Sequence, residues 1–473
     1  MLLGLGMSGL QEFVYDVRAE SAARRLRVRS AMLTLTPAVV ACDLLRASPG
    51  ATLLYLGGGK LLAQASDEAV AKAASDLPGL YRWLAESSMG LLGAYWTVCE
   101  DRDSRAGCVK ALLAGLATAK WRAGRNGDWY GHLPIRATRS RGLGDEEWEA
   151  GQGALLARET GVVGFQTGGG PWEIGERRLR FATERPEIGI AGKARADVEV
   201  ALPAFVPAND DGSVTLLGDL AQEGDGAPYL ALLKLDGDGV GARLAQALDA
   251  PDPEAYFRES AALARFFGER APELFCKEFP RVYLVYSGGD DLVATGHFDG
   301  LLRAAARIRA AYREAGLGTV SAGVSFYARN SPILKAVEAA DQELARAKDA
   351  RDAISIGGCA LGWDAFQTAL GEVDGMCEAI RGGSLNRGAL QMLRQLGEAF
   401  LEEAPSPLAG NRLRAIPHLH YTRARRTEWR QEHWPPGVKA LFDSLQTEEA
   451  SWPRAALVGT LASWRTKRTE ERS

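Results

Sequence analysis

Apolar and polar positions fall along this chain in a pattern that occurs twice. Tyr229 to Asp236 (YLALLKLD) reads as a buried strand, and a helical stretch follows through Glu278. RVYLVY (Arg281 to Tyr286), a Gly-Gly-Asp-Asp turn and LVATGHF then read as a hairpin. Apolar residues at three- and four-residue intervals predict a helix from about Gly300 to Ala315. TVSAGVSFYA (Thr319 to Ala328) follows as a strand, and SPILKAVEAADQELARAKDA as a second helix opened by Ser331 and Pro332. Strand, helix, strand, strand, helix, strand is the split βαβ order of ferredoxin-like and palm domains.

The front of the chain repeats that order. GLGMSGLQEFVYDV is strand-like, SAARRLRVRSAML helical, and ATLLYL, Gly-Gly-Gly-Lys and LLAQAS form a second hairpin. A helix around Leu77 to Ser87 and the strand GLLGAYWTVCE complete the unit. The hairpins align as YLGGGKLLA (Tyr55 to Ala63) against YSGGDDLVA (Tyr286 to Ala294), and such a duplication sets the fold class. The predicted architecture is α+β, with two ferredoxin-like palm domains of the GGDEF/cyclase-like kind. The first palm covers 1–124, a linker domain without a zinc ribbon 125–225, and the second palm 226–372. A C-terminal helical bundle over 373–473 is broken near Ala404-Pro405-Ser406-Pro407 and near Trp434-Pro435-Pro436.

Composition narrows the function. At 473 residues, 46% hydrophobic and 25% charged, the chain has room for several cores. A formal net charge of −4 excludes a globally basic nucleic-acid coat, so RNA contact falls to local patches or to a partner. Two arginine runs are candidates: Arg18, Arg24, Arg25, Arg27 and Arg29, then Arg412, Arg414, Arg423, Arg425, Arg426 and Arg430. Solvated helix faces are the alternative reading of both. No pair among the six cysteines has C-x-x-C spacing, which argues against a zinc ribbon or a dithiol site. Scattered thiols suit a reducing, cytoplasmic compartment. No signal-peptide pattern and no run of about 18 apolar residues occurs, so no membrane span is expected. The five histidines include no His-Asp dipeptide, which argues against a histidine-aspartate nuclease.

The chemistry lies at the strand ends. In the split βαβ topology the first and second strands are parallel and end at one sheet edge. Asp236 would therefore meet the Gly288-Gly289-Asp290-Asp291 turn. Clustered carboxylates repel unless a cation lies between them, and hard oxygen ligands favour magnesium, or manganese. Two such ions activate an attacking hydroxyl and neutralise a departing pyrophosphate, so ATP-dependent nucleotidyl transfer is expected. Glycines permit positive φ in the turn and let backbone amides approach a triphosphate. Asp238 either adds a ligand or begins the next helix. The first copy has Gly59-Lys60 for Asp290-Asp291, and Gly6 and Ser8 for Asp236 and Asp238. It has lost the candidate ligands but kept its glycine turn, so it should bind nucleotide or only support the second copy. Lys60 suits phosphate, or is simply an exposed lysine. Ser287 and Ser321 are further candidates for nucleotide contact.

These motifs resemble the large polymerase-like subunit of type III CRISPR effector complexes, closest to the Csm type. SGLQEFVY from Ser8, AARRLRVRS ending at Ser30, the two hairpins, SAGVSF and the later AK all look like that family's signatures. AIPHLHYTRARR (Ala415 to Arg426) resembles its R-x-I-P-H-x-x-Y-x-x-A-R segment. The resemblance implies synthesis of cyclic oligoadenylates from ATP once a guide crRNA captures target RNA, with other effector subunits as partners. It implies Asp236, Asp290 and Asp291 as catalytic metal ligands, and Lys348 reaching the triphosphate. Ser8, Gly57, Gly58 and Gly59 would line one ATP site, with Ser287, Gly288 and Gly289 at the other. Against the family's pattern, histidine-aspartate nuclease activity is expected to be absent, no four-cysteine ribbon set occurs, and Gly6 stands for the usual Asp. Other readings are an inactive scaffold subunit, a palm enzyme joining AMP to another small molecule or making cyclic dinucleotides, and a stand-alone cyclase signalling without RNA.

Overall fold

The computed structural model describes residues 1–15, 17, 22–88, 90–100, 105–125, 205–210, 214–222, 226–250, 252, 254–398, 400, 401, 418, 419, 422, 426, 429, 431–448 and 451–467. It also describes the backbone of short strands between 162 and 201. Two compact units result. The first comprises Met1–Leu216, Gly239–Val293 and Pro332–Leu334; the second comprises Leu217–Asp238, Ala294–Ser331 and Lys335–Ser473. No described helix is long and apolar enough to cross a membrane.

The first unit begins β1 (Leu2–Ser8), α1 (Leu10–Tyr15), α2 (Ala22–Ala47), β2 (Thr52–Gly57), β3 (Lys60–Gln64), α3 (Asp67–Ser87), β4 (Gly93–Cys99) and α4 (Arg105–Arg125). Its sheet has the order β2-β3-β1-β4 with every neighbouring pair antiparallel. Gly6 of β1 lies between Lys60 and Tyr95 in register. Small residues bring α4 onto this sheet: a Cβ on Gly4 would lie 2.9 Å from Leu116, and one on Gly115 2.7 Å from Thr97. That approach buries Leu2, Leu62, Tyr95, Cys108, Leu112 and Leu116 together. Each large apolar side chain so buried contributes about 1.5–3 kcal/mol.

The expected long first strand stops at Ser8. Gly9 takes φ +74, and the Leu91 carbonyl oxygen sits 1.8 Å from where a Cβ would be, so the chain turns into α1. Nor is the first arginine run a wholly solvated face. Arg29 is buried, donates to the Phe13 carbonyl at 2.5 Å and stacks over the Phe13 ring. In the predicted linker domain, β5 (Val162–Phe165), β6 (Arg180–Ala182) and β9 (Val198–Ala201) form one small sheet. β7 (Gly189–Ile190) and β8 (Ala194–Arg195) form another.

The second repeat comprises β10 (Tyr229–Gly237), α5 (Val240–Asp249), α6 (Ala255–Arg265), α7 (Ala271–Glu278), β11 (Val282–Gly288), β12 (Asp291–His297), α8 (Phe298–Glu314), β13 (Val320–Ala328) and α9 (Ile333–Ala350). β14 (Ala353–Ile356) and β15 (Cys359–Gly362) follow, and the sheet order is β11-β12-β10-β13-β14-β15. Its first four strands repeat the order of the first sheet. A π-helical turn, Phe266–Arg270, joins α6 to α7. The hairpin arms are longer than predicted, leaving Gly289 and Asp290 as the turn.

Within the second unit β10 and β13 pair antiparallel from Tyr229↔Ala328 to Gly237↔Val320, β13 and β14 pair parallel, and β14 and β15 antiparallel. The C-terminal part is helical: α10 (Trp363–Arg381), α11 (Arg387–Glu398), α12 (Pro436–Thr447) and α13 (Ser451–Arg465). Glycines again bring helices together, since a Cβ on Gly459 would lie 2.8 Å from the Leu390 carbonyl oxygen of α11. Pro435 caps the N-terminus of α12, as the predicted break requires. α10 crosses the expected boundary at 373, because the β14–β15 hairpin occupies the residues just before it. The 404–407 break and most of Ala415 to Arg426 lie outside the described residues.

Candidate active site

In the second unit, β10 delivers Asp236 to the end of its strand, opposite Ser321 of β13. The Lys348 ammonium, from the last turns of α9, lies against the Asp236 carboxylate and donates to the Gly237 carbonyl at 2.7 Å. Its nitrogen is 3.5 Å from Asp238. The two aspartates differ in exposure: the Asp236 side chain is 30% exposed, that of Asp238 6%. Asp238 accepts from the Ser321 hydroxyl at 2.8 Å and from the Asp352 amide at 3.0 Å. Asp352 and its neighbour Arg351 have φ of 44 and 55, unusual for non-glycine residues. Asp238 thus braces a strained turn just beyond Lys348, and the buried Ser321 hydroxyl is bonded within the same brace.

The first unit carries the two glycine turns. A Cβ on Gly58 would lie 3.2 Å from the Tyr286 hydroxyl and 3.7 Å from the Gly289 nitrogen, so the turns abut. Gly58, Gly59 and Gly289 all have φ between +55 and +72, which a side chain would strain. Tyr55 and Tyr286 occupy equivalent places in the two hairpins. Burial, followed by Asp290, Tyr256 and Asp291, pushes the Tyr55 hydroxyl up to about 12. Burial again leads in raising Tyr286 well above its ordinary value, with Asp291 and Tyr55 next. Both hydroxyls therefore remain donors at neutral pH. Ser287 is fully buried and donates to the Phe267 carbonyl of the π-turn at 2.6 Å, so its hydroxyl is committed to the interior.

Beside these turns lies a cavity of about 400 Å³. Gly6, Tyr55, Lys60 and Tyr95 of the first sheet, Leu116 and Lys120 of α4, Tyr256 of α6, and Gly289 and Asp290 are among its lining residues. Ser8, Gly57, Gly58 and Gly59 are not. Sequence reasoning missed Tyr95, Lys120 and Tyr256. Only the register of β4 and the path of α4 bring the first two to the glycine turn, and neither follows from local pattern.

Among the described residues, no group of three or more His, Cys, Asp or Glu side chains is gathered as a metal site. The donor chemistry nonetheless fits a hard divalent cation. Asp236 is an accessible carboxylate already facing a cationic group, and Asp290 and Asp291 are half-exposed carboxylates at a glycine turn.

Residues 229–355 match the family described as Cas10/Cmr2, second palm domain, and residues 1–92 match Csm1 subunit domain B. A relative from Thermococcus onnurineus (strain NA1) is the CRISPR system single-strand-specific deoxyribonuclease Cas10/Csm1 (subtype III-A). It is 27% identical over 206 residues, covering 40% of this chain and 26% of the relative. The match thus spans about a quarter of that protein's length. The Csm1–Csm4 cassette in complex with one ATP has a TM-score of 0.68 at 17% identity, covering 98% of this chain and 69% of that chain. The Csm1–Csm4 subcomplex in the type III-A CRISPR-Csm interference complex reaches 0.69 at 17% identity with the same coverage. At these identities the structures speak for the fold.

Proposed function

We propose that this Cas10/Csm1-like chain is a type III CRISPR large subunit that converts ATP into cyclic oligoadenylates when its complex captures target RNA. The observation that carries the reading is a shared strand order, with one strand pair in the same register. Gly6 sits between Lys60 and Tyr95; the aligned positions of the second copy are Asp236, Asp291 and Ser321, and Asp236 is opposite Ser321 as Gly6 is opposite Tyr95. That correspondence supports Asp236, Asp290 and Asp291 as one ligand set, in a four-part chain of two palms, linker and helical bundle.

Magnesium or manganese, when bound there, would lower the charge on the reacting phosphate and on the leaving pyrophosphate. The chain's own groups do the rest. Lys348 meets the triphosphate, and its helix end is held by the Asp238 brace. The amides of Gly288 and Gly289 approach phosphate oxygens without obstruction by side chains. The glycine turn of the first palm, with Ser8, Gly57, Gly58 and Gly59, supports a second ATP as the partner in bond formation. Guide crRNA, target RNA and a Csm4-like subunit are the expected partners, on the strength of the similar cassettes.

An inactive scaffold in the same complex is the second reading, favoured by the Lys348 ammonium that already pairs with the Asp236 carboxylate. Mass spectrometry of the assembled complex incubated with ATP, with and without target RNA, separates the two. RNA-dependent rings of linked AMP support synthesis; unchanged ATP in a complete complex overturns it.

A further inference from the structure

At the first site the charge is reversed. Where the second copy has the carboxylates Asp236 and Asp291, the first has Gly6 and Lys60, so two negative charges give way to one positive. Tyr95 closes the place a ligand at position 6 would need, its ring 2.4 Å from a Cβ built there. Lys120, about four turns along α4, also lines this cavity. Tyr256 offers a flat ring and Leu116 apolar surface to a base, and the volume of about 400 Å³ lies within the roughly 300–1,000 Å³ of small-molecule pockets. Among the described lining residues Asp290 alone is acidic.

We infer that this cavity takes the phosphates of a nucleotide on the ammonium groups of Lys60 and Lys120, and so holds its nucleotide without a divalent cation. The inference rests on the nucleotidyltransferase reading, which it divides into a metal-dependent half and a metal-free half. Side-chain ammonium groups neutralise phosphate as point charges, and Lys60 stands where the other copy has Asp291.

The test is calorimetric titration of ATP into the full chain in EDTA. One ATP per chain is expected to bind. Lys60→Gln with Lys120→Gln should weaken that binding about tenfold or more, as loss of two charge-assisted contacts would. Lys110→Gln, on the same helix but paired with Asp249 outside the cavity, should leave it unchanged. Binding that appears only with magnesium, or that the double lysine variant does not weaken, overturns the inference. Metal-free, lysine-dependent binding in a complex that makes no product would instead overturn only the synthetic reading.

Discussion

The ring of Tyr95 stands where a side chain at Gly6 would have to go: a Cβ on Gly6 would lie 2.4 Å from Tyr95 Cζ and 2.6 Å from its hydroxyl oxygen. Tyr95 is buried against Leu2, Leu62, Leu112 and Leu116, so the ring moves only by opening that cluster. The first site is barred from regaining the carboxylate that Asp236 supplies to its counterpart.

Gly6→Asp should therefore destabilise the chain by about 1–3 kcal/mol, the usual cost of overpacking. In a Tyr95→Ser background the same substitution should cost clearly less. Urea unfolding of the four proteins of this cycle measures the coupling. An equal cost in both backgrounds would show that the ring does not guard the site.

Asp236 and Asp238 should fail in opposite ways. Asp236→Asn removes an accessible carboxylate, so ATP turnover should be lost while stability changes by less than about 0.5 kcal/mol. Asp238→Ala strips the buried partner from the Ser321 hydroxyl and the Asp352 amide, which should cost about 1–3 kcal/mol. Thermal melting beside product assay checks both. A stable, inactive D238A with an unstable, active D236N would reverse the assignment.

Burial raises Glu372 from an ordinary carboxylate value to about 7, against the lowering effect of Arg454 at 3.4 Å. A folded-state pKa above the unfolded one contributes stability that is full below about 4.5 and lost as pH rises through about 7. Glu372→Gln does not titrate, so wild type should lose stability relative to it across that window, by on the order of 3 kcal/mol at most. Melting of both proteins at pH 5 and pH 8 measures this; a difference independent of pH would contradict it.

The two hairpins were legible because each packs its signal into nine adjacent residues, with apolar arms around a glycine turn. By the same rule AISIGGCALG announces the β14–β15 hairpin. Its four-residue arms follow directly on a long helical pattern, and Gly357 and Gly358, at φ +59 and +80, were its only punctuation. The Asp238 brace is of another kind. Its partner amide at Asp352 is 114 residues away, and no local periodicity encodes that meeting. Arg29 shows the limit of charge as a guide to exposure, since its guanidinium finds both a carbonyl and an aromatic face inside the fold.

Turnover of radiolabelled ATP by the assembled complex on target RNA tests whether the acids of the glycine turn carry nucleotidyl transfer. Asp290→Ala with Asp291→Ala should leave assembly unchanged and reduce product at least about 100-fold, the scale on which preorganised charge stabilises a transition state. Undiminished product from that double variant, in a complex of normal composition, would mean that Asp290 and Asp291 do not carry the reaction.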